Sequence, residues 1–216
     1  MRKTWLFLML LTLANPLARA AENFQQMDFT VDGVARTARV YVPSAAKTNP
    51  APLVFVFHGH GGNSRNADRS FHIETEWPEA VVVYMQGLPT VGKLTDPEGV
   101  RNGWQAAAGD YGDRDLKFFD AVLAKLKQDY KIDAKQIYAT GHSNGGGFTY
   151  LLWLTRGDVF AAVAPCAAVA KYAMRLNPKP VMHIAGENDP RVKVAWQKRM
   201  MTAGRKVNGC DETGQT

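Results

Sequence analysis

Cysteine is scarce: Cys166 and Cys210 are the only two in 216 residues. A disulfide-stapled scaffold is excluded, because such frameworks need more crosslinks than one; the two thiols either bond to each other, or Cys210 lacks its partner. Long apolar runs are lacking as well. The longest, residues 5–13, falls well short of the roughly 20 residues that a bilayer span needs, so no stable membrane anchor is expected. Charge of one sign is in small excess, with 26 Lys and Arg against 20 Asp and Glu for a net +6. That is too mild for a nucleic-acid partner. The densest basic stretch, residues 193–206, interleaves its cations with Ala195, Trp196, Met200 and Ala203 at helical spacing, which makes it a solvated helix face.

Core-forming residues are plentiful. At 46% hydrophobic and 21% charged, the composition is that of a globular protein and not of a disordered, collagen-like or coiled-coil chain. Residues 1–20 read as an export signal: Arg2 and Lys3, the apolar run, Pro16, then Ala18-Arg19-Ala20 as a cleavage site. Cleavage before Ala21 implies a secreted or periplasmic protein and leaves residues 21–216 as one catalytic-sized domain. It also removes Arg2, Lys3 and Arg19 but no acid, so 23 basic residues face 20 acidic ones and the charge falls from +6 to +3.

Two alternating runs flank Asp32-Gly33, the pairing that signals a β-hairpin. Residues 53–57 and 80–85 are continuous apolar runs, as in strands covered on both faces. Residues 115–130 carry Leu116, Phe119, Val122, Leu123 and Leu126 at helical spacing. A strand at 136–140, a helix at 144–156, strands at 160–164 and 180–185 and a helix at 192–203 complete the alternation. Strands alternating with helices imply an α/β fold with a doubly wound, mostly parallel sheet, entered through an antiparallel hairpin and binding ligands at the strands' carboxyl ends. Residues 86–113, rich in glycine and containing Pro89 and Pro97, form a long segment expected to border a cleft.

Gly141-His142-Ser143-Asn144-Gly145 fits G-x-S-x-G between a strand and a helix, the setting of a nucleophile elbow. The flanking glycines admit a turn too tight for a Cβ, and the strained serine is lifted above the sheet. A serine attacking a carbonyl needs N–H donors for the oxyanion. The Asn144 amide at the helix start is one; the His60 amide, in the loop His58-Gly59-His60-Gly61-Gly62 after a strand, is the second. His58 and His60 lack further ligands at metal spacing, so no metal and no organic cofactor are expected. The acid follows a later strand: Asp189 is the candidate, Glu187 its competitor, and His183, inside the strand, reads as a packed core histidine. Trp104 offers either an apolar wall for an acyl or aromatic group or a structural tryptophan.

Pro52 to Gly62, Asn102-Gly103-Trp104-Gln105 before Asp113-Arg114-Asp115, Ile137 to Gly146 and His183 to Asp189 together resemble the secreted polyhydroxybutyrate depolymerase-like esterases, α/β-hydrolases close to the feruloyl and acetylxylan esterases of the first carbohydrate esterase family. The resemblance spans about residues 36–210. It implies Ser143 as nucleophile, Asp189 as acid, the His60 and Asn144 amides as oxyanion hole, and a polymeric or oligomeric ester as substrate.

The family order is Ser, Asp, His, and here the chain departs from it. His58, His60, His72, His142 and His183 are the five histidines, and none follows Asp189. In the family another strand and a His loop come next, and the cysteine matching Cys210 often has a later partner. The expectation is a C-terminally truncated form that lacks its last strand and its general base. Alternatives are substitution by His142 or His60, a noncatalytic binding relic, and a serine peptidase of similar fold.

Overall fold

The structure, a computed structural model, describes residues 23–92, 95–171 and 175–211. The proposed export signal lies outside them. Strand β1 (Phe24–Val31) and strand β2 (Val34–Tyr41) form the hairpin, with Val31 paired to Val34. Asp32 and Gly33 take φ of 49° and 79°, the left-handed pair that matches the twist of a two-residue turn.

Strand β3 (Ala51–Phe57) leads to helices α1 (Ser64–Phe71) and α2 (Ile73–Glu76), then strand β4 (Val81–Met85). Strands β5 (Leu88–Pro89) and β6 (Asn102–Gly103) pair as a separate small hairpin. Helix α3 (Arg114–Asp129), strand β7 (Ile132–His142), helix α4 (Asn144–Arg156), strand β8 (Ala162–Cys166) and helix α5 (Val194–Val207) follow. The main sheet runs β1-β2-β4-β3-β7-β8, antiparallel through β2/β4 and parallel from β4 to β8.

Side-chain alternation divides the core. Phe55, Phe57, Val81 and Val83 face a large cluster with Phe118, Phe119, Val122, Phe148 and Leu152 of α3 and α4. Val54, Val56, Val82 and Tyr84 face the opposite way, onto Ala67, Ile73 and Trp77. The central strands are apolar on both faces because both faces are covered.

Beneath the site, Arg36 of β2 and Asp115 of α3 form an ion pair at 2.8 Å with side chains 1% and 0% exposed. Asp115 also accepts the Gln105 N–H at 2.9 Å, and Gln105 Oε1 accepts the N–H groups of Asp115 and Leu116. This buried network fixes the chain leaving β6 to the start of α3.

The expected strand over 180–185 is reduced to two bridges, Val163 to Val181 and Cys166 to Ile184. Its bonds to β8 run Val163 N–H to Pro180 O, Met182 N–H to Val163 O, Ile184 N–H to Pro165 O and Ala167 N–H to Ile184 O. The rung between them requires an N–H at residue 165, which is proline. β8 itself begins and ends two residues later than expected. Cys166 and Cys210 are half-buried and not bonded to each other.

Candidate active site

Strand β7 delivers the chain to Ser143, which takes φ 54° and ψ −117° before α4 begins at Asn144. A non-glycine residue held there stores strain, and the surroundings enforce it. The Ser143 N–H donates to Cys166 O at 2.9 Å, and Ser143 O accepts the Gly147 N–H at 2.9 Å. A Cβ on Gly145 would stand 2.3 Å from Phe57 O, and one on Gly141 2.6 Å from Gly145 C. Both glycines are therefore spatial necessities: β3, β7 and α4 converge too closely for any side chain.

Two backbone amides are the candidate oxyanion donors, and both residues line the cavity that Ser143 lines. The Asn144 amide opens α4, and the His60 amide lies in the loop after β3. Neither takes part in the turn and cap hydrogen bonds of its segment among the described residues. The Asn144 side chain is committed elsewhere: Oδ1 accepts the Trp104 N–H at 2.7 Å and Nδ2 donates to Trp104 O at 3.0 Å.

The histidines separate by their bonds. His58 Nδ1 donates to Gly59 O at 2.8 Å and Nε2 accepts the Gly87 N–H at 3.0 Å; the two partners fix the neutral tautomer, and burial pushes its pKa down. His183 accepts from the Tyr150 hydroxyl at Nδ1, 2.7 Å, and donates from Nε2 to Gln197 Oε1, 3.1 Å, with burial again lowering its pKa. It is a packed histidine. His60 Nε2 bonds Asp96 Oδ2 at 3.0 Å. His142 is exposed, with Nδ1 beside Gly59. None of these ring hydrogen bonds reaches Ser143 or Asp189.

Asp189 is half-buried, and its Oδ1 accepts the N–H groups of Arg191 and Val192 at 2.8 and 2.9 Å. Those amides, the Arg191 bond first, hold it below the usual carboxylate range, with a smaller contribution from the His142 charge. Glu187 is exposed. Of the two acids, Asp189 is the one with an imposed orientation.

Trp104 is 1% exposed. Its Nε1 donates to His58 O at 2.9 Å, and its ring stacks on Phe148 with centroids 5.3 Å apart. It is chiefly a structural tryptophan, touching the cavity from beneath. The cavity beside Ser143 has a volume of about 570 Å³ and reaches His60, Thr90, Val91, Tyr111 and Val169. Tyr111 is the exposed aromatic on its wall, 46% accessible. Its hydroxyl accepts the Val91 N–H at 3.0 Å, and Arg114 lies 4.3 Å over its ring. Sequence reading named the segment over 86–113 but not this residue, whose left-handed φ of 53° carries no sequence signature.

Residues 102–175 match the prolyl oligopeptidase family. The chain is similar to a bifunctional acetylxylan esterase/xylanase of Neocallimastix patriciarum, 30% identical over 161 residues, 73% of this chain and 22% of that protein. It is similar to feruloyl esterase D of Neurospora crassa, 27% identical over 225 residues, 94% of this chain and 74% of that one. Among solved structures, a ferulic acid esterase of Anaeromyces mucronatus in complex with ferulic acid superposes with a TM-score of 0.63 at 14% identity, covering 87% of this chain and 80% of that one. A thermostable esterase gives 0.64 at 20% identity, covering 87% and 52%. The chain thus spans about a fifth of the first relative's length and three quarters of the second's. It has the α/β-hydrolase fold and is similar in sequence to feruloyl and acetylxylan esterases.

Proposed function

We propose that the protein is an exported serine esterase, acting on carboxylic esters through an acyl-enzyme on Ser143. The observation that carries this reading is the strained Ser143 at the head of α4, facing a cavity of about 570 Å³. In it the Ser143 oxygen attacks the ester carbonyl, the His60 and Asn144 amides take the oxyanion, and the alcohol leaves; water then releases the acid. Asp189 is the acid that would orient a base. Among the described residues no histidine ring hydrogen-bonds to Ser143, so this chain is expected to acylate slowly, and to accelerate when a histidine is supplied after Asp189.

The related feruloyl and acetylxylan esterases, together with Tyr111 and Val91 on the wall, favour feruloyl or acetyl esters of plant polysaccharide as substrates. A polyhydroxybutyrate-type polyester is the second ester class, resting on the motif resemblance alone. Initial rates on methyl ferulate, an acetylated xylan and a hydroxybutyrate oligomer distinguish them.

A peptidase reading has one specific support, the prolyl oligopeptidase match over residues 102–175. Faster cleavage of a peptide p-nitroanilide than of a p-nitrophenyl ester would favour it. The expected result is the reverse.

A further inference from the structure

The esterase reading uses the His60 backbone but leaves its side chain without a role. That ring is 90% buried in a slot made by two glycines. A Cβ on Gly92 would come within 2.7 to 2.9 Å of three ring atoms, Nε2, Cε1 and Cδ2, and a Cβ on Gly103 within 2.7 Å of Nδ1. Nδ1 is buried without a hydrogen-bond partner. An apolar ring would fill the slot without stranding a polar atom. What an apolar ring lacks is the bond from Nε2 to Asp96 at 3.0 Å.

Asp96 is itself fixed. Its side chain is 6% exposed. Oδ2 accepts the Arg101 N–H at 2.8 Å and Oδ1 the Val100 N–H at 3.3 Å, while its backbone exchanges both hydrogen bonds with Gly92 at 2.8 Å. The peptide following His60 is tied to the same hairpin, with the Gly61 N–H on Asn102 O at 2.7 Å. The proposed oxyanion loop is thus fastened to the β5/β6 hairpin at two points, one through the His60 ring and one through the next amide. That hairpin also presents Thr90, Val91 and Thr95 to the cavity.

We propose that Asp96 is a positioning residue for the oxyanion hole: through the His60 imidazole, wedged between Gly92 and Gly103, it aims the His60 amide at the carbonyl attacked by Ser143. The proposal rests on the esterase reading for the role of that amide. It makes the aim of the donor depend on the hairpin that lines the cavity, so that a misplaced hairpin weakens the transition state more than ground-state binding.

The test compares acylation of the wild-type chain, D96A and D96N by p-nitrophenyl acetate, resolving the saturation constant from the limiting acylation rate. D96A is expected to lose about tenfold in the limiting rate, less than the roughly 100-fold to 1,000-fold loss of an oxyanion donor removed outright, with the saturation constant within about twofold. D96N, whose amide oxygen can still accept from His60, is expected to recover most of the rate. In parallel, ¹⁵N–¹H spectra follow the His60 amide, which should shift and exchange faster in D96A while the spectra of the core strands stay unchanged. Equal limiting rates in folded D96A and wild type would overturn the proposal, as would parallel loss of rate and affinity with no change at the His60 amide. Absence of acylation in the wild type would instead count against the esterase reading. The His60 amide response then decides the coupling on its own: a shift in D96A supports it, and an unmoved amide refutes it.

Discussion

Asn144 grips the backbone of Trp104 with both ends of its amide, accepting from the Trp104 N–H at 2.7 Å and donating to Trp104 O at 3.0 Å. One residue therefore begins α4 beside Ser143 and anchors the chain that leaves β6 against the cavity. Replacing Asn144 by Ala leaves a buried Trp104 N–H unsatisfied, which costs about 1–3 kcal/mol. N144D retains the acceptor but sets a carboxylate oxygen against Trp104 O, so it should lose no less. Urea unfolding of the three proteins checks the order.

The elbow glycines separate spatial need from helix propensity. In G145A the new Cβ would overlap Phe57 O at 2.3 Å, backbone that cannot turn aside. A loss of about 3 kcal/mol or more is expected, at the top of the overpacking range. G147A meets only Val169 O at 3.4 Å and should be neutral or gain up to about 1 kcal/mol from helix propensity. Equal stabilities for the two variants would contradict the packing described.

Arg36 and Asp115 are mutually dependent. R36M leaves the buried Asp115 carboxylate with only the more distant Arg114, 3.6 Å away, and breaking such a pair costs up to about 3–5 kcal/mol. The double variant R36M/D115N removes the charge while keeping an acceptor for the Gln105 N–H, and should recover a large part of that loss. Denaturation midpoints of single and double variants give the coupling directly.

Stability should fall on mild acidification. His58 and His183 are both held neutral, with proton affinities in the folded chain below the ordinary value of about 6.5. The unfolded chain therefore binds more protons as pH drops through about 6.5. The stability present above that value is lost as pH falls towards the depressed folded values, at up to about 1.4 kcal/mol per pH unit for each histidine. Unfolding free energies between pH 7.5 and 5 should show this slope, and H183Q should flatten it.

Much of this architecture is legible in the chain because its signals are local. Asp32-Gly33 announces a turn that only left-handed residues make, and Gly141 and Gly145 announce a crossing where no Cβ fits. Helix α4 is bounded in the sequence by the elbow before it and by Arg156 at its end, and the structure has the same limits. What escaped reading depends on distant residues. The His60–Asp96 bond joins positions 36 apart across a segment without periodicity. Trp104 reads equally as a cavity wall or as a structural tryptophan until Phe57 and Phe148 are seen around it. Pro165 shortens the outer ladder only because its missing N–H falls opposite Met182. Glu187 competes with Asp189 in the sequence until the amides of Arg191 and Val192 are seen to orient Asp189.

The central claim is that Ser143 is the nucleophile, and trapping its acyl-enzyme tests this most directly. After incubation with p-nitrophenyl acetate, peptide mass spectrometry should find one acetyl group per chain, on the peptide containing Ser143. S143A should carry none, and a slow general-base step lengthens the life of the adduct instead of hiding it. An unmodified Ser143, or acetylation undiminished in S143A, would contradict the account.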